Sequence, residues 1–286
     1  MKAKEGSKIY KGMVFGGCSF TWGQGLYYYS GLPTLKESEP DAFDPSILTH
    51  CQIKYMESNR FPRLVSKKFK SYEFVYPGNG GSNEGVVKWW EACFYKERYH
   101  HGKMNGYEVP EISTKEVSHF IFQLTEWSRD HVIIENQPFP IDIQFSQVNE
   151  LAYKGLFLNQ ISKDGLSLKD FTKMHIEKSF TRVKNFLLDL ENDGIKTFIL
   201  TWPDEYLNII RKDPWASERL IGFEYNGKNY ESIRHLMDDK DESGKYINPE
   251  MTIKHDIINF INPPQDHHPS ILCHKLIADS IIKKIG

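Results

Sequence analysis

The chain lacks the features that mark membrane-spanning and nucleic-acid-binding proteins. Its 286 residues contain no apolar run of about 18 residues, the length that a membrane span requires. Lysine and arginine number 36 against 38 acidic residues, so no basic excess attracts nucleic acid or an anionic membrane. The first eleven residues are mostly polar and rich in lysine, with no signal-peptide pattern. We therefore expect no nucleic-acid or membrane partner, and a cytoplasmic or virus-associated location.

Cysteine is also scarce, with four residues that are scattered along the chain: Cys18, Cys51, Cys93 and Cys273. Their spacing fits neither a metal site nor a disulfide framework, so we interpret them as reduced thiols. The chain also lacks the G-x-G-x-x-G and Gly-Lys-Ser/Thr motifs of nucleotide-binding loops. We expect neither a metal nor another cofactor.

The segment from Met13 to Gly23 is the first candidate for a functional site. An apolar run ends at Gly16 and Gly17, and Ser19 follows almost directly. This pattern indicates a buried strand that turns sharply and presents a serine hydroxyl at its end. Ser19 is a candidate nucleophile, and the alternative is that it caps a helix.

A second junction of the same kind follows. A short strand at 72–76 runs into a glycine cluster, and a helix opening near Ser82 or Asn83 continues through Phe94. Two strand, glycine and helix junctions indicate a parallel α/β sheet, with its functional edge at the carboxyl ends of the strands.

Apolar periodicity predicts the remaining elements. They are helices at 61–69, 170–193 and 271–285, strands at 117–124 and 196–202, and a hairpin within 132–150, while 213–262 is interpreted as charged and irregular. We predict a single domain over 1–286, with insertions near 27–59, 130–150 and 205–262.

The end of the chain supplies an acid and a base. Asp266, His267 and His268 precede the last helix, and His274 lies one turn inside it. In a parallel α/β fold this loop and Ser19 would share the carboxyl edge of the sheet. A histidine can take the proton of the serine while an aspartate orients the imidazole.

Three short motifs resemble the blocks of the SGNH hydrolases, also called GDSL esterases and lipases. Gly17-Cys18-Ser19-Phe20-Thr21 is similar to the first block, Gly80 with Ser82-Asn83 to the second, and Asp266-His267-His268-Pro269 to the last. The resemblance implies a three-layer α/β/α sandwich around a parallel sheet, related to the flavodoxin-like folds. It also implies Ser19 as nucleophile, His268 as general base, Asp266 as its orienting acid, and the amides of Ser19 and Gly80 as the oxyanion hole.

Two positions depart from the family pattern. Cys18 replaces an aspartate in the first block, and Leu124 to Trp127 stand where the third block has G-x-N-D. The missing asparagine would be an oxyanion donor, whose loss typically costs ~100-fold to 1000-fold in rate. Asn83 is the candidate replacement, and Trp22 and Trp127 are candidates for substrate binding.

We therefore predict a serine esterase that forms an acyl-enzyme, with a small-molecule or glycan ester as partner and an O-acetyl group on a carbohydrate as one candidate. The alternative is a binding or structural protein of the same fold with weak or no catalysis, such as a virion or surface component. A metal-dependent hydrolase built on Asp266, His267, His268 and His274 is a third, more distant alternative. The sequence leaves the oligomeric state open.

Overall fold

The computed structural model describes residues 11–30, 48–77, 81–95, 103–104, 107–134, 137–140, 159, 161–253 and 268–286. Three residues singled out above, Gly80, Asp266 and His267, lie outside these ranges. So do 141–150, the second half of the predicted hairpin region.

The described residues form the following strands and helices. The strands are β1 (Gly12–Gly16), β2 (Glu73–Val75), β3 (Lys103–Met104), β4 (Tyr107–Glu108), β5 (Val117–Leu124), β6 (His131–Ile134), β7 (Gln137–Pro140), β8 (Lys196–Thr201), β9 (Phe223–Tyr225) and β10 (Lys228–Tyr230). The helices are α1 (Ser19–Trp22), α2 (His50–Asn59), α3 (Phe61–Phe69), α4 (Asn83–Phe94), α5 (Leu168–Asn192), α6 (Leu207–Lys212), α7 (Pro214–Arg219), α8 (Ile233–Asp238) and α9 (Ile271–Ile285).

In the described part of the chain, the central sheet has four strands in the order β2-β1-β5-β8. Each neighbouring pair is parallel, with Phe15 opposite Val75, Val14 opposite Phe120, and Phe122 opposite Ile199. The carboxyl ends of β1, β5 and β8 therefore lie side by side. The turn that carries Ser19 lies next to the segments that follow Leu124 and Thr201.

Helices cover both faces of the sheet because the strand side chains alternate between two apolar clusters. One face packs against α4 and α5, where Phe120 and Phe122 meet Trp90 and Phe186. The other face packs against α3 and α9, which bury Phe15 and Ile121 among their side chains. The result is the predicted α/β fold, three layers around a parallel sheet.

Most of the predicted core elements are confirmed. The helices at 61–69 and 271–285 and the strand at 117–124 have the predicted bounds, and α5 begins two residues earlier than expected. The description of 213–262 as irregular is wrong for its described part. That part holds α7, α8 and the β9/β10 hairpin, elements of three to six residues that are too short to show a period.

Within the described ranges, no helix combines the length and the apolar character that crossing a membrane requires.

Candidate functional site

Ser19 lies at the carboxyl end of β1 as the first residue of α1. The helix has four residues and ends at Gly23, whose positive φ of 92° suits glycine. Cys18 holds the N-cap position, so the alternative that Ser19 caps a helix is wrong. The amides of Gly23 and Gln24 both donate to the Ser19 carbonyl, at 2.9 and 3.0 Å, and close the turn. The hydroxyl of Ser19 is left for contacts outside its own helix.

His268 is held in place by backbone pairing on both sides. Its carbonyl accepts from the amide of Ile253 at 3.1 Å, and Thr252 pairs with Pro269 in an antiparallel bridge. Ser270 then caps α9, because its hydroxyl accepts from the Cys273 amide at 3.2 Å. The loop that carries the histidine is thus tied both to the 251–253 segment and to the start of the last helix.

The two side chains meet although 249 positions separate them. The Nε2 atom of His268 lies 3.1 Å from the Oγ atom of Ser19, which is hydrogen-bond distance. Ser19 is buried and His268 is half-buried. The Phe20 ring lies 4.9 Å from the imidazole and 4.0 Å from the Trp202 ring, measured between centroids. This arrangement suits transfer of the serine proton to the imidazole.

Asn83 lies in a buried hydrogen-bond network at the start of α4. Its Nδ2 donates to the Tyr206 hydroxyl at 2.8 Å, the Ser179 hydroxyl at 3.0 Å and the Thr125 carbonyl at 3.2 Å. Its Oδ1 accepts from the Thr125 amide at 2.9 Å. An oxyanion role for Asn83 therefore requires that one of its N–H groups leave this network.

Asp130 adjoins the same network. Burial raises the pKa of its carboxyl group, although hydrogen bonds with Ser82 and Ser179 and the amide of Glu84 act in the opposite direction. Burial also raises the pKa of Tyr206, so that its phenol stays neutral and donates to Ser179 at 3.3 Å. Together these groups join the start of α4 to α5 and to the segment after β5.

His274 lies one turn inside α9 and is fully buried. Its Nδ1 accepts from the amide of Phe61 at 3.2 Å, and its Nε2 has no hydrogen-bond partner among the described residues. Burial, together with the electrostatic influence of His268 and Arg60, lowers its pKa to about 3. His274 is therefore neutral near pH 7, and it supports α3 rather than contacting Ser19.

The two predicted substrate-binding tryptophans differ in exposure. Trp22 ends α1 and is half-buried, against a small cluster that includes Leu26 and Met56. Trp127 is only 6% exposed and packs in the core on the α4 side of the sheet. Most of its indole surface is therefore covered by protein, and substrate contact by either ring stays a prediction.

Sequence reasoning missed two side chains that support the turn at Ser19. Gln123 of β5 bonds to Cys18 and Thr21, and Arg60 donates to the Trp22 carbonyl at 3.4 Å. The available signal for Gln123 was a polar residue inside the apolar segment 120–124. Arg60 lies between two helices, where a sequence pattern carries no information about its partner.

Among the residues that the structure describes, no three His, Cys, Asp or Glu side chains are grouped closely enough to hold a metal ion.

No protein-family model matches the chain, and a search of curated proteins finds no match either. A solved structure from Desulfitobacterium hafniense DCB-2, described as a candidate lipolytic protein of the G-D-S-L family, is similar to this chain with a TM-score of 0.44. The two sequences are 11% identical, and the comparison covers 96% of this chain and 99% of the other. The likeness is distant, and the geometry around Ser19 is the stronger guide to the chemistry.

Proposed function

We propose that this protein is a serine hydrolase that cleaves a carboxylic ester. The observation that carries the proposal is the 3.1 Å contact between Ser19 Oγ and His268 Nε2 at the carboxyl edge of the parallel sheet. Open parallel sheets bind their ligands at this edge. A serine bonded to a histidine there has the arrangement of an activated nucleophile.

The reaction would proceed in two steps. His268 Nε2 accepts the proton of Ser19 as Oγ attacks the ester carbonyl, and the same nitrogen then donates that proton to the departing alcohol. Water deprotonated by His268 next attacks the acyl-enzyme, and the proton returns to Ser19 as the acid leaves. Asp266 is proposed to orient the imidazole from its Nδ1 side, and the amides of Ser19 and Gly80 to bind the oxyanion.

Within the class of carboxylic esters, we propose a more specific substrate. An O-acetyl group on a carbohydrate is the candidate, with aromatic rings near the strand ends as the proposed platform for the sugar. Trp127 and Trp202 are each 6% exposed, so Trp22 is the ring with most surface available for this purpose. A small acyl group requires less apolar entrance than a lipid chain does.

Hydrolysis of p-nitrophenyl acetate, butyrate and octanoate by the wild type, Ser19→Ala and His268→Ala tests the proposal. We expect activity that favours acetate and falls by about 1000-fold or more in both variants, with folding verified by circular dichroism. Labelling of Ser19 by a fluorophosphonate is an independent measurement of its nucleophilicity. Wild-type protein that neither hydrolyses these esters nor reacts with the probe would instead support a binding or structural role.

Acetylated polysaccharide then tests the carbohydrate candidate. Release of acetate by the wild type and not by Ser19→Ala would support it, and a Trp22→Ala variant should raise KM more than it lowers kcat. Acetate release that is the same in Trp22→Ala and the wild type would support the hydrolysis and contradict sugar binding by Trp22.

A further inference from the structure

Gln123 is a polar side chain at a position where the fold favours an apolar one. It follows Ile121 on the same face of β5, and that face packs against α3 and α9. Gln123 is 1% exposed. An amide buried this deeply destabilises a protein unless both its donor and its acceptor are satisfied. The hydrogen-bond partners of Gln123 therefore indicate its role in the structure.

The side-chain amide of Gln123 forms hydrogen bonds with two residues that flank Ser19, one through its oxygen and one through its nitrogen. The Thr21 hydroxyl donates to Oε1 at 2.5 Å, and Nε2 donates to the Cys18 sulfur at 3.3 Å. One strand residue thus holds the position before the nucleophile and the position two residues after it. The hydrogen bonds cross from β5 to the turn after β1, between neighbouring strands of the sheet.

Gly17 shows how closely the turn lies against this side chain. A Cβ atom at Gly17 would be 2.1 Å from the Thr21 oxygen and 2.9 Å from the Cβ atom of Gln123. No side chain fits in that space, so only glycine lets the turn approach the strand. The contact between the Ser19 turn and Gln123 is direct and tightly packed.

The turn requires contacts from other elements because α1 is too short to be stable by itself. An isolated helix of four residues is unstable, and the Cys18 side chain adds no capping bond within the described part of the chain. Misplacing a reacting group by about 1 Å can lower a rate ~100-fold. We infer that Gln123 is a positioning residue that fixes the Ser19 turn against the sheet and so holds Oγ in line with His268. This inference rests on the proposed function.

Gln123→Met removes both hydrogen bonds and keeps the length of the side chain. We expect kcat to fall about 10- to 100-fold with KM within about 2-fold of wild type, because a residue buried beneath the turn does not touch substrate. Thr21→Val removes one bond and should lower kcat less. Its matched control is Thr197→Val. This variant removes a 2.5 Å hydrogen bond from a buried threonine near the start of β8 to Glu191 in α5, and it should leave kcat unchanged.

Gln123→Glu separates positioning from a merely structural role. As a neutral acid the new side chain has one donor and one acceptor, like the amide, whereas the carboxylate only accepts. The ratio of its kcat to the wild-type kcat should therefore fall as the pH rises through the titration of Glu at position 123. The same ratio for Gln123→Met should not depend on pH. Variants that lose thermal stability and keep wild-type kcat at every pH would overturn the inference.

Hydrolysis by the wild type and Ser19→Ala is measured first, so that failure of the proposed function can be distinguished from failure of the proposed role of Gln123. Without wild-type hydrolysis the proposed function fails, and the nitrogen resonances of the His268 ring then test Gln123 alone. The Nε2 shift should change in Gln123→Met and in Thr21→Val and stay constant in Thr197→Val. An unchanged His268 shift in the folded Thr21→Val protein would contradict the inference even if Gln123→Met does not fold.

Discussion

The junctions after β1 and β2 follow the same sequence pattern and end in different structures. Ser82 is the N-cap of α4, and its hydroxyl accepts from the Gly85 amide at 3.1 Å. Ser19 is the first residue of α1 and directs its hydroxyl to His268 instead. A shift of one position relative to the helix start thus decides whether a serine stabilises a helix or is free for chemistry. The pattern of strand, glycine and serine alone does not distinguish the two.

The two junctions also differ in what supports them. The helix after β2 has twelve residues and carries its own cap and a buried apolar face. The helix after β1 has four residues and depends on Gln123 and Arg60, which belong to other elements. The junction that carries the proposed nucleophile is therefore the one whose geometry is set by distant parts of the chain.

Replacing each serine by alanine gives the largest predicted contrast. Ser19→Ala should lower kcat/KM for p-nitrophenyl acetate by about 1000-fold or more, since it removes the proposed nucleophile. Ser82→Ala should stay within about threefold of wild type, because it removes a helix cap and one hydrogen bond to Asp130 and leaves Ser19 and His268 in place. Comparable losses in the two variants would mean that the junctions do not differ as the structure indicates.

Asn83→Ala tests the network at the second junction. It leaves the Thr125 amide without its acceptor and the Tyr206 hydroxyl without its donor, so we expect a loss of about 2 to 4 kcal/mol in the free energy of unfolding by urea. Asn248→Ala is the matched control, because Asn248 is equally buried and donates to Tyr230 and the Leu236 carbonyl. A kcat that falls about 100-fold in Asn83→Ala and not in the control would instead identify Asn83 as an oxyanion donor.

The contact between α9 and α3 should respond to acid through His274. Its pKa of about 3 in the folded protein lies below the ordinary value of 6.5, so the unfolded chain binds the proton more readily. Stability should therefore fall as the pH drops below about 6.5, by up to ~1.4 kcal/mol per pH unit, until about pH 3. Urea unfolding at several pH values measures this slope.

His274→Gln should flatten that slope, since glutamine can accept from the Phe61 amide without titrating. The exposed His50 provides the control, and His50→Gln should leave the slope as it is in the wild type. An unchanged slope in His274→Gln would assign the acid sensitivity to other groups.

The smallest predicted effect is the cap of α4. Ser82→Ala should lower the free energy of unfolding by about 1 kcal/mol, and Ser82→Thr should restore most of it because threonine also caps helices. Thermal unfolding of the three proteins measures the difference. Equal stability of Ser82→Ala and the wild type would show that the cap adds little to α4.

The core of the fold was predictable because its elements are long and periodic. The apolar run of β5 at Phe120–Phe122 and the broad apolar faces of α3 and α9 follow directly from the sequence. The helix α2 was missed, since it buries only Gln52 and Met56. Its start nevertheless has a readable signal, a capping box between Thr49 and Gln52.

The candidate site was predictable in part for a related reason. Ser19 and His268 belong to short motifs with recognisable chemistry, so their types and positions along the chain were enough to pair them. Gln123 belongs to no motif, and its partners Cys18 and Thr21 lie 105 and 102 positions away. A pairing at that distance is a property of strand order and register, which apolar patterns specify only loosely.

The 249 positions between Ser19 and His268 also bear on how the protein acquires activity as it folds. Contacts between residues so far apart require a large loss of chain entropy and form slowly. The helix that follows His268 packs chiefly on α3, so the histidine reaches Ser19 only when these two helices dock. The proposed esterase activity should accordingly lag behind the recovery of helical circular dichroism during refolding, and the length of that lag would measure how long α9 takes to dock.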